Sequence, residues 1–292
     1  MKIAGRTFVI SGGASGLGRA TALDLAAHGG YIAILDLNES AGASLVSQIG
    51  TSHARFFSVD VTDSSSIASA VKGTYEWITS TTHAPLGGII PAAGIGNPAL
   101  IYNKPKKTPG SDSSHNGNGD KDKDISIEPS TTMDALDIVL AINLRGTLDI
   151  IRQFLPLLAN APAQNASPQP YDDPERGVII LVSSAAAFDG QMGQVAYAAS
   201  KGAVASMTLP LARDLSRYGI RAVTIAPGTF ETPMTSFLSE KVRKGLEKSM
   251  EFPKRGGTAE EFAALVRTCV ENVMLNGTVI RLDGGARMPS RL

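Results

Sequence analysis

Short apolar runs alternate with helical patterns along most of this chain. The apolar runs are continuous and end in turn residues, which is typical of buried strands. They lie at residues 7–10, 31–35, 54–59, 86–90, 178–182, 220–225 and 278–282. Between the runs, apolar residues recur at helical spacing. The helical candidates are 16–28, 39–50, 64–80, 133–159, 195–218, 234–250 and 258–273.

This alternation predicts a doubly wound α/β fold. Parallel strands need crossover connections, and helices that make those crossovers cover the sheet. We therefore expect a Rossmann-type, seven-stranded parallel sheet with helices on both faces. A length of 292 residues is compatible with two domains, but no break separates two such patterns. The pattern favours a single domain over residues 1–292.

Two segments fall outside the alternation and are predicted to be loop insertions. Residues 101–128 are built largely from Ser, Asn, Gly, Asp and Lys, and residues 159–176 are rich in Pro, Gln, Asn and Ala. Segments of this composition bury little apolar surface. The first insertion either extends into solvent or closes over a substrate, and the sequence leaves both options open.

The overall composition narrows the possible functions. Lys plus Arg and Asp plus Glu both number 27, so the net charge is zero, which argues against nucleic-acid or anionic-membrane binding. No apolar run approaches the ~18 residues that span a bilayer. Cys269 is the only cysteine, and the four histidines are scattered without ligand spacing, so we predict no disulfide and no metal site. These features predict a soluble intracellular protein.

A glycine-rich turn follows the first predicted strand and opens the first helix. Gly12, Gly16 and Gly18 let the backbone approach a ligand, and the helix start directs free N–H groups at an anion. We expect the turn, with Ser15 and Leu17, to bind the phosphates of a dinucleotide. Close packing of the helix on the strand is the alternative explanation of the glycines.

Two aspartates end the next two strands. Asp36 can accept hydrogen bonds from ribose hydroxyls and would repel a 2′-phosphate, which favours NAD over NADP. Alternatively, it is a strand-end or helix-capping residue. Asp60 and Val61 can hold the adenine edge, although Asp60 can equally cap the following helix.

Four polar residues are candidates for catalysis. Tyr197 and Lys201 share a helix face, and an ammonium group beside a phenol favours the phenolate and so allows proton transfer. The Ser184 hydroxyl follows the fifth strand and can reach the same substrate oxygen. Asn143 can hold a water that links Lys201 to solvent, or it can be a hydrogen-bonded core amide.

The glycine turn, Asn143, Ser184, Tyr197 and Lys201, in this order and spacing, resemble the short-chain dehydrogenase/reductase family. The resemblance implies an NAD-dependent oxidoreductase with Tyr197 as acid/base, Lys201 as its activator and ribose anchor, Ser184 as polariser and Asn143 as relay. It also implies further cofactor contacts after the fourth and sixth strands. These are Ala93, Gly94, Pro227, Gly228 and Thr232, with Thr232 at the nicotinamide carboxamide. The family's usual Asn-Ala-Gly is replaced by Ala92-Ala93-Gly94.

Within the family, residues 187–197, 207–215 and 276–284 are similar to type-2 3-hydroxyacyl-CoA dehydrogenases, also described as 17β-hydroxysteroid dehydrogenases. The resemblance implies oxidation of a 3-hydroxyacyl-CoA to the 3-ketoacyl-CoA in fatty-acid β-oxidation. Gln191 would line the substrate pocket, or it is a loop-stabilising amide. One alternative is an NAD(P)-dependent ketoreductase or alcohol dehydrogenase for a steroid, polyketide or other secondary alcohol. A scaffold subunit of an RNA-processing complex is the alternative of a different class.

The C-terminus and the family suggest a location and an assembly. Ser290-Arg291-Leu292 is a variant of the Ser-Lys-Leu peroxisomal address, and the first strand starts too early for an N-terminal targeting extension. We therefore expect import into the peroxisome through its import receptor, with the cytoplasm as the alternative. The family implies a homotetramer whose ligand is a small molecule.

Overall fold

Seven parallel strands form the central sheet. The computed structural model describes residues 1–102, 131–165, 173–236, 240, 245, 246 and 248–290. The strands are β1 (Thr7–Ser11), β2 (Tyr31–Asp36), β3 (Ala54–Ser58), β4 (Leu86–Pro91), β5 (Gly177–Val182), β6 (Ile220–Pro227) and β7 (Val279–Leu282). Their spatial order is β3-β2-β1-β4-β5-β6-β7, and every pairing is parallel. The predicted doubly wound sheet is confirmed.

The helices largely follow the predicted segments. In the described residues they are α1 (Gly16–Ala27), α2 (Glu39–Ile49), α3 (Ser64–Trp77), α4 (Met133–Leu140), α5 (Thr147–Ala159), α6 (Val195–Leu215), α7 (Pro233–Ser236) and α8 (Ala259–Glu271). Three predicted helices change geometry along their length. The 64–80 helix continues as a π-helical turn over Ile78–Thr82, the 133–159 helix is interrupted by one at Ala141–Gly146, and the 195–218 helix ends in a 3-10 turn at Ser216–Tyr218. Much of the predicted 234–250 helix lies outside the described residues.

The sheet is buried on both sides, as the uninterrupted apolar strands predicted. One core cluster packs β1, β2 and β5 against helices α1 and α8, with Phe8, Leu25 and Phe262 at its centre. The other covers the opposite face with Trp77 and Phe154 from α3 and α5. A parallel sheet covered in this way leaves its strand ends free for a site.

The predicted insertions are only partly within the described residues. Residues 103–130 and 166–172 lie outside them, and so do Arg291 and Leu292 of the predicted peroxisomal address. The second insertion contains a short antiparallel pairing of Gln164–Asn165 with Pro174–Glu175 that the polar composition did not predict. Glu175, the last residue of this pairing, is buried, and its Oε1 accepts a hydrogen bond from Arg221 Nε at 2.7 Å. The end of this loop is therefore anchored to β6.

Candidate active site

The site lies at the carboxyl ends of β1 and β4, where the order in which strands are added to the sheet changes direction. β1 and β4 are neighbours, but β2 leads away from β1 on one side and β5 leads away from β4 on the other. The loops after these strands therefore diverge and leave a crevice at the carboxyl ends. A first cavity of about 170 Å³ occupies this crevice. Its lining includes most of the predicted site residues, namely Gly12, Ser15, Gly16, Leu17, Gly18, Ala93, Gly94, Tyr197, Lys201, Pro227 and Thr232.

The glycine turn brings its backbone against the end of β4. Gly12 has a φ of 64°, and a Cβ on this residue would lie 2.8 Å from the backbone N and Cα of Ala93. A Cβ on Gly18 would overlap the carbonyl oxygen of Gly12. The glycines are therefore required for close packing, which was the alternative explanation of the turn. The same packing brings the turn to the edge of the first cavity.

The N-terminus of α1 borders the first cavity without a protein anion. Its N-cap residue Ser15 is extended and makes no side-chain capping hydrogen bond, and no acidic residue occupies the first helical turn. The first N–H groups and the positive end of the helix dipole are thus suited to a phosphate group. This geometry, together with the closely packed glycine turn, fits the pyrophosphate of a dinucleotide.

Asp36 lies at the end of β2 and orders the glycine turn. Its Oδ2 accepts a hydrogen bond from Ala14 N–H at 3.0 Å, and its Oδ1 accepts one from Asn38 N–H at 3.0 Å. Asn38, not Asp36, caps α2 by accepting from Ala41 N–H at 3.0 Å. The helix-capping alternative for Asp36 is wrong, whereas the strand-end role is present. Each carboxylate oxygen keeps a lone pair for a further donor.

Asp60 does not cap the following helix either. Its Oδ1 accepts hydrogen bonds from the N–H and hydroxyl of Thr62 at 2.8 and 2.7 Å. The N-cap of α3 is Asp63, whose carboxylate accepts from Ser65 N–H at 2.8 Å. Asp60, Val61 and Asp36 line a second cavity of about 230 Å³, which shares Gly12, Ser15, Ala93 and Gly94 with the first. The predicted adenosine contacts are therefore brought together.

Ser184 and Tyr197 line a third cavity, of about 240 Å³. Tyr197 also lines the first cavity, so its side chain lies between the two. Ser184 follows β5 and caps a 3-10 turn, where its Oγ accepts a hydrogen bond from Ala186 N–H at 3.1 Å. Burial raises the pKa of the Tyr197 phenol, and a hydrogen-bonding interaction with Ser184 opposes that increase in the pKa.

Lys201 places a buried amino group behind the tyrosine. Its Nζ lies 5.9 Å from the centre of the Tyr197 ring and donates a hydrogen bond to the Val182 carbonyl at 2.9 Å. Burial lowers the pKa of Lys201 to about 8. The amine is therefore mostly charged at neutral pH but loses its proton far more readily than an exposed lysine.

Asn143 lies in the π-helical turn between α4 and α5 and is fully buried. Its Oδ1 accepts from Ile95 N–H at 2.8 Å, and its Nδ2 donates to the Ile95 carbonyl at 2.9 Å and to Ser200 Oγ at 3.1 Å. The core-amide alternative is thus present. A Cβ on Gly94 would lie 3.1 Å from Asn143 Oδ1 and 3.3 Å from Lys201 Nζ, so these two polar groups flank the same residue. The water relay stays a prediction.

Gln191 and Gly228 line the third cavity. Gln191 Nε2 donates to the Pro289 carbonyl at 3.1 Å, so the residue also has the loop-stabilising role that was the alternative. Thr232 lines the first cavity, and its backbone N–H donates a hydrogen bond to Thr235 Oγ1 at 3.0 Å. All the predicted site residues therefore lie around the three adjoining cavities or, in the case of Asn143, directly behind them.

Sequence reasoning missed residues that support the site. Ser11, the last residue of β1, stabilises the loop after β4, because its Oγ accepts from Ala93 N–H at 3.3 Å. Ser183 Oγ donates to the Lys201 carbonyl at 2.7 Å and ties β5 to α6. Met288, in the segment after β7, lines the third cavity. No hydrophobic pattern marks this last segment, so its place was not predictable.

Within the described part of the chain, no group of three or more His, Cys, Asp or Glu side chains is arranged to hold a metal ion. No helix there has both the length and the hydropathy to span a bilayer.

The chain is similar to known proteins over nearly its whole length. The family model described as short chain dehydrogenase matches residues 6–114 and 115–243. A Drosophila melanogaster protein named 3-hydroxyacyl-CoA dehydrogenase type-2 is 40% identical over 281 residues, which cover 96% of each chain. The Homo sapiens protein of that name is 39% identical over 289 residues, covering 98% of this chain and 97% of the relative. The crystal structure of 3-hydroxyacyl-CoA dehydrogenase type-2 from Mycobacterium avium matches with a TM-score of 0.80 and 32% identity over 100% of both chains.

The buried charge of Lys201 gives a prediction for stability. Because the folded pKa of about 8 lies below the ordinary value, the charged amine opposes folding at neutral pH. Replacing Lys201 by Met should therefore raise the free energy of unfolding at pH 7 by about 1–3 kcal/mol, the bond to Val182 partly offsetting the gain. The advantage of the variant should shrink between pH 8 and 10.5 as the wild-type amine loses its proton.

Urea unfolding of both proteins across this pH range checks the prediction. Lys72→Met is the matched control, since the Lys72 side chain is 81% exposed and its removal should change stability by less than about 0.5 kcal/mol. A Lys201→Met variant that is less stable than wild type at pH 7, by an amount independent of pH, would contradict the buried-charge interpretation.

Proposed function

The chain belongs to the short-chain dehydrogenase family and is an oxidoreductase of that family, and from this premise we propose that it oxidises the 3-hydroxyl of a 3-hydroxyacyl-CoA with NAD. The observation that carries the proposal is the position of Tyr197. Its side chain lies between the first cavity, which fits a dinucleotide, and the third cavity, which is free for a substrate. A substrate alcohol in the third cavity would therefore lie next to Tyr197, to which it can give its proton, and next to the cofactor, to which it can give its hydride.

The proton step uses Tyr197, Ser184 and Lys201. Tyr197 takes the proton of the substrate hydroxyl, and Ser184 donates a hydrogen bond to the oxygen as it becomes a carbonyl. Burial alone raises the pKa of Tyr197, so the phenolate needs a nearby positive charge. Lys201 supplies that charge, because its amine is mostly protonated below its pKa of about 8. When bound, the nicotinamide dinucleotide supplies the acceptor for the hydride.

Lys201 is also suited to return the proton to solvent. A lysine with a pKa of about 8 exchanges its proton near neutral pH at little free-energy cost. Asn143 lies next to it across Gly94, held in place by Ile95 and Ser200. We assign Asn143 the task of holding a water molecule beside the amine, which would continue the proton path.

Asp36 supports the choice of NAD. Its carboxylate lines the second cavity beside Asp60 and Val61, where the adenosine half of a dinucleotide would lie. Free lone pairs on the carboxylate suit two ribose hydroxyls, whereas a 2′-phosphate would bring negative charge against it. Two carboxylates in one cavity increase that repulsion.

The acyl-CoA substrate is supported by the relatives and by the third cavity. The most similar proteins described above carry the name 3-hydroxyacyl-CoA dehydrogenase type-2. In the described residues, the lining of the third cavity contains no charged side chain. It combines Ser184 and Gln191 with the apolar Ala186, Leu246 and Met288. A neutral hydroxyacyl group would find both hydrogen-bonding side chains and apolar surface in this cavity.

Replacing Tyr197 by Phe should lower kcat with 3-hydroxybutyryl-CoA and NAD by at least about 1,000-fold, because the proton acceptor is lost. Production of NADH, followed by its absorbance, measures the rate. Tyr75→Phe is the control, since Tyr75 is 53% exposed on α3 and should keep full activity. Near-normal turnover by Tyr197→Phe with an unchanged melting temperature would exclude the mechanism.

A substrate panel separates the chemistry from the substrate assignment. Wild type should oxidise 3-hydroxyacyl-CoAs with a higher kcat/KM than free hydroxysteroids or simple secondary alcohols. If a hydroxysteroid or alcohol is oxidised and no 3-hydroxyacyl-CoA is, the acyl-CoA assignment fails while the role of Tyr197 stands.

Replacing Asp36 by Asn should reduce the preference for NAD over NADP by about 10- to 100-fold in kcat/KM, or about 1.4–2.8 kcal/mol. The amide keeps an oxygen for Ala14 or Asn38 but removes the charge that repels a 2′-phosphate. Asp214→Asn is the control, because Asp214 is exposed on α6 and lines none of the three cavities, so it should leave the cofactor ratio unchanged. An equal ratio in wild type and Asp36→Asn would contradict the proposal for Asp36.

A further inference from the structure

Arg281 holds two carboxylates from different parts of the chain. It lies on β7 with a side chain that is 23% exposed. Its Nη2 donates to Asp189 Oδ2 at 2.5 Å, and its Nε donates to Asp283 Oδ2 at 2.6 Å. Nη2 also donates to the Ala286 carbonyl at 3.1 Å. One guanidinium thus joins the loop that follows Ser184 to the segment that follows β7.

The surroundings of Arg281 favour this arrangement. The guanidinium lies 5.4 Å from the centre of the Phe188 ring, and the Arg287 guanidinium lies 3.7 Å from Asp283. Hydrogen bonding to Arg281 holds the pKa of Asp189 below its ordinary value, so this carboxylate is charged at neutral pH. Planar, two-sided recognition of carboxylates is a property of arginine that lysine reproduces only in part.

Both joined segments contribute residues to the lining of the third cavity. Residues 184–194 contribute Ser184, Gln191 and Gln194, and the segment after β7 contributes Met288. Two further bonds join them near the cavity. Gln191 Nε2 donates to the Pro289 carbonyl at 3.1 Å, and Met192 N–H donates to the Ser290 carbonyl at 3.3 Å. The Arg281 guanidinium adds a charged contact to both segments.

Asp283 extends the connection to the loop after β6. A Cβ on Gly228 would lie 2.8 Å from the Asp283 Cβ, so the two residues are in close contact. Gly228 lines the third cavity, and its N–H donates to the Leu282 carbonyl at 2.9 Å. Movement of Asp283 would therefore shift a third part of the cavity lining.

We propose that Arg281 is a positioning residue that sets the width of the third cavity, and through it the affinity for the acyl part of the substrate. The proposal rests on the proposed function, which makes this cavity the substrate site. Arg281 does not line any of the three cavities. It acts through Asp189 and Asp283, which hold the residues that do.

Replacing Arg281 by Gln should raise KM for 3-hydroxybutyryl-CoA by about 10-fold, while kcat changes by less than 3-fold and KM for NAD is unchanged. The reason is that the cavity loses its fixed width whereas Tyr197, Ser184 and Lys201 stay in place. In Arg281→Lys the KM should lie between the values of Arg281→Gln and wild type, since an ammonium can pair with one of the two carboxylates. Asp189→Asn should resemble Arg281→Gln, and the double variant should add little further effect.

Arg152→Gln is the matched control, because Arg152 is 67% exposed, pairs with Asp149 on α5 at 2.6 Å and lines none of the three cavities. It should leave all the constants within 2-fold of wild type. If Arg281→Gln instead lowers kcat and the melting temperature with KM unchanged, or if Arg281→Lys fails to recover any KM, the role is structural and the proposal is overturned.

Hydrogen exchange separates this proposal from the proposed function. In Arg281→Gln, amide exchange should become at least 10-fold faster at Met192 and in residues 284–290, and remain as in wild type in α1. This readout needs no substrate. Unchanged exchange in both segments would overturn the connection itself, whereas faster exchange in a protein that oxidises no acyl-CoA would show that only the assigned function is wrong.

Discussion

A buried positive charge is the constraint on which the rest of the site depends. The amino group of Lys201 is enclosed between β5, α6 and the residues after β4, where a charged group is costly unless it is hydrogen-bonded. The Val182 carbonyl provides one acceptor, and the low pKa of about 8 shows the remaining cost. The amine lies 5.9 Å from the centre of the Tyr197 ring, and the proposed role of Tyr197 depends on this proximity.

The surrounding structure keeps this costly arrangement in place. Ser183 ties the Lys201 backbone to β5 through a hydrogen bond. Ser200, the residue before Lys201 in α6, accepts a hydrogen bond from Asn143. Asn143 in turn holds the loop after β4 through both backbone groups of Ile95. The tyrosine, lysine and asparagine are therefore positioned by one hydrogen-bonded unit, which spans three elements distant in sequence.

The fold was largely predictable because the strands are continuous apolar runs. Each of the seven runs became a strand in the parallel sheet, and the glycine turn and the Tyr197–Lys201 pair fell at its carboxyl edge. The π-helical turn around Asn143 was not predictable, since the apolar pattern of 133–159 continues through it. The sequence left open whether Asp60 caps α3, because an aspartate at this position can do either. In the folded backbone Asp60 accepts hydrogen bonds from Thr62, and Asp63 is the N-cap.

Residues after β7 could not be placed from the sequence for a different reason. Their contacts with Gln191 and Met192 are made by the Pro289 and Ser290 carbonyls, which leave no periodic pattern. The family resemblance implied a substrate contact for Gln191, which stays a prediction, but it did not indicate the connection through Arg281. Long-range polar contacts of this kind become visible only once the chain is folded.

The pH dependence of kcat/KM for alcohol oxidation tests the central claim most directly, namely that the charge on Lys201 makes Tyr197 a base. In wild type, kcat/KM should rise 10-fold per pH unit and level off with an apparent pKa well below the ordinary value of about 10 for tyrosine. In Lys201→Ala the same rise should be displaced to an apparent pKa near or above 10, with lower activity at neutral pH. An identical apparent pKa in the two proteins would contradict the account.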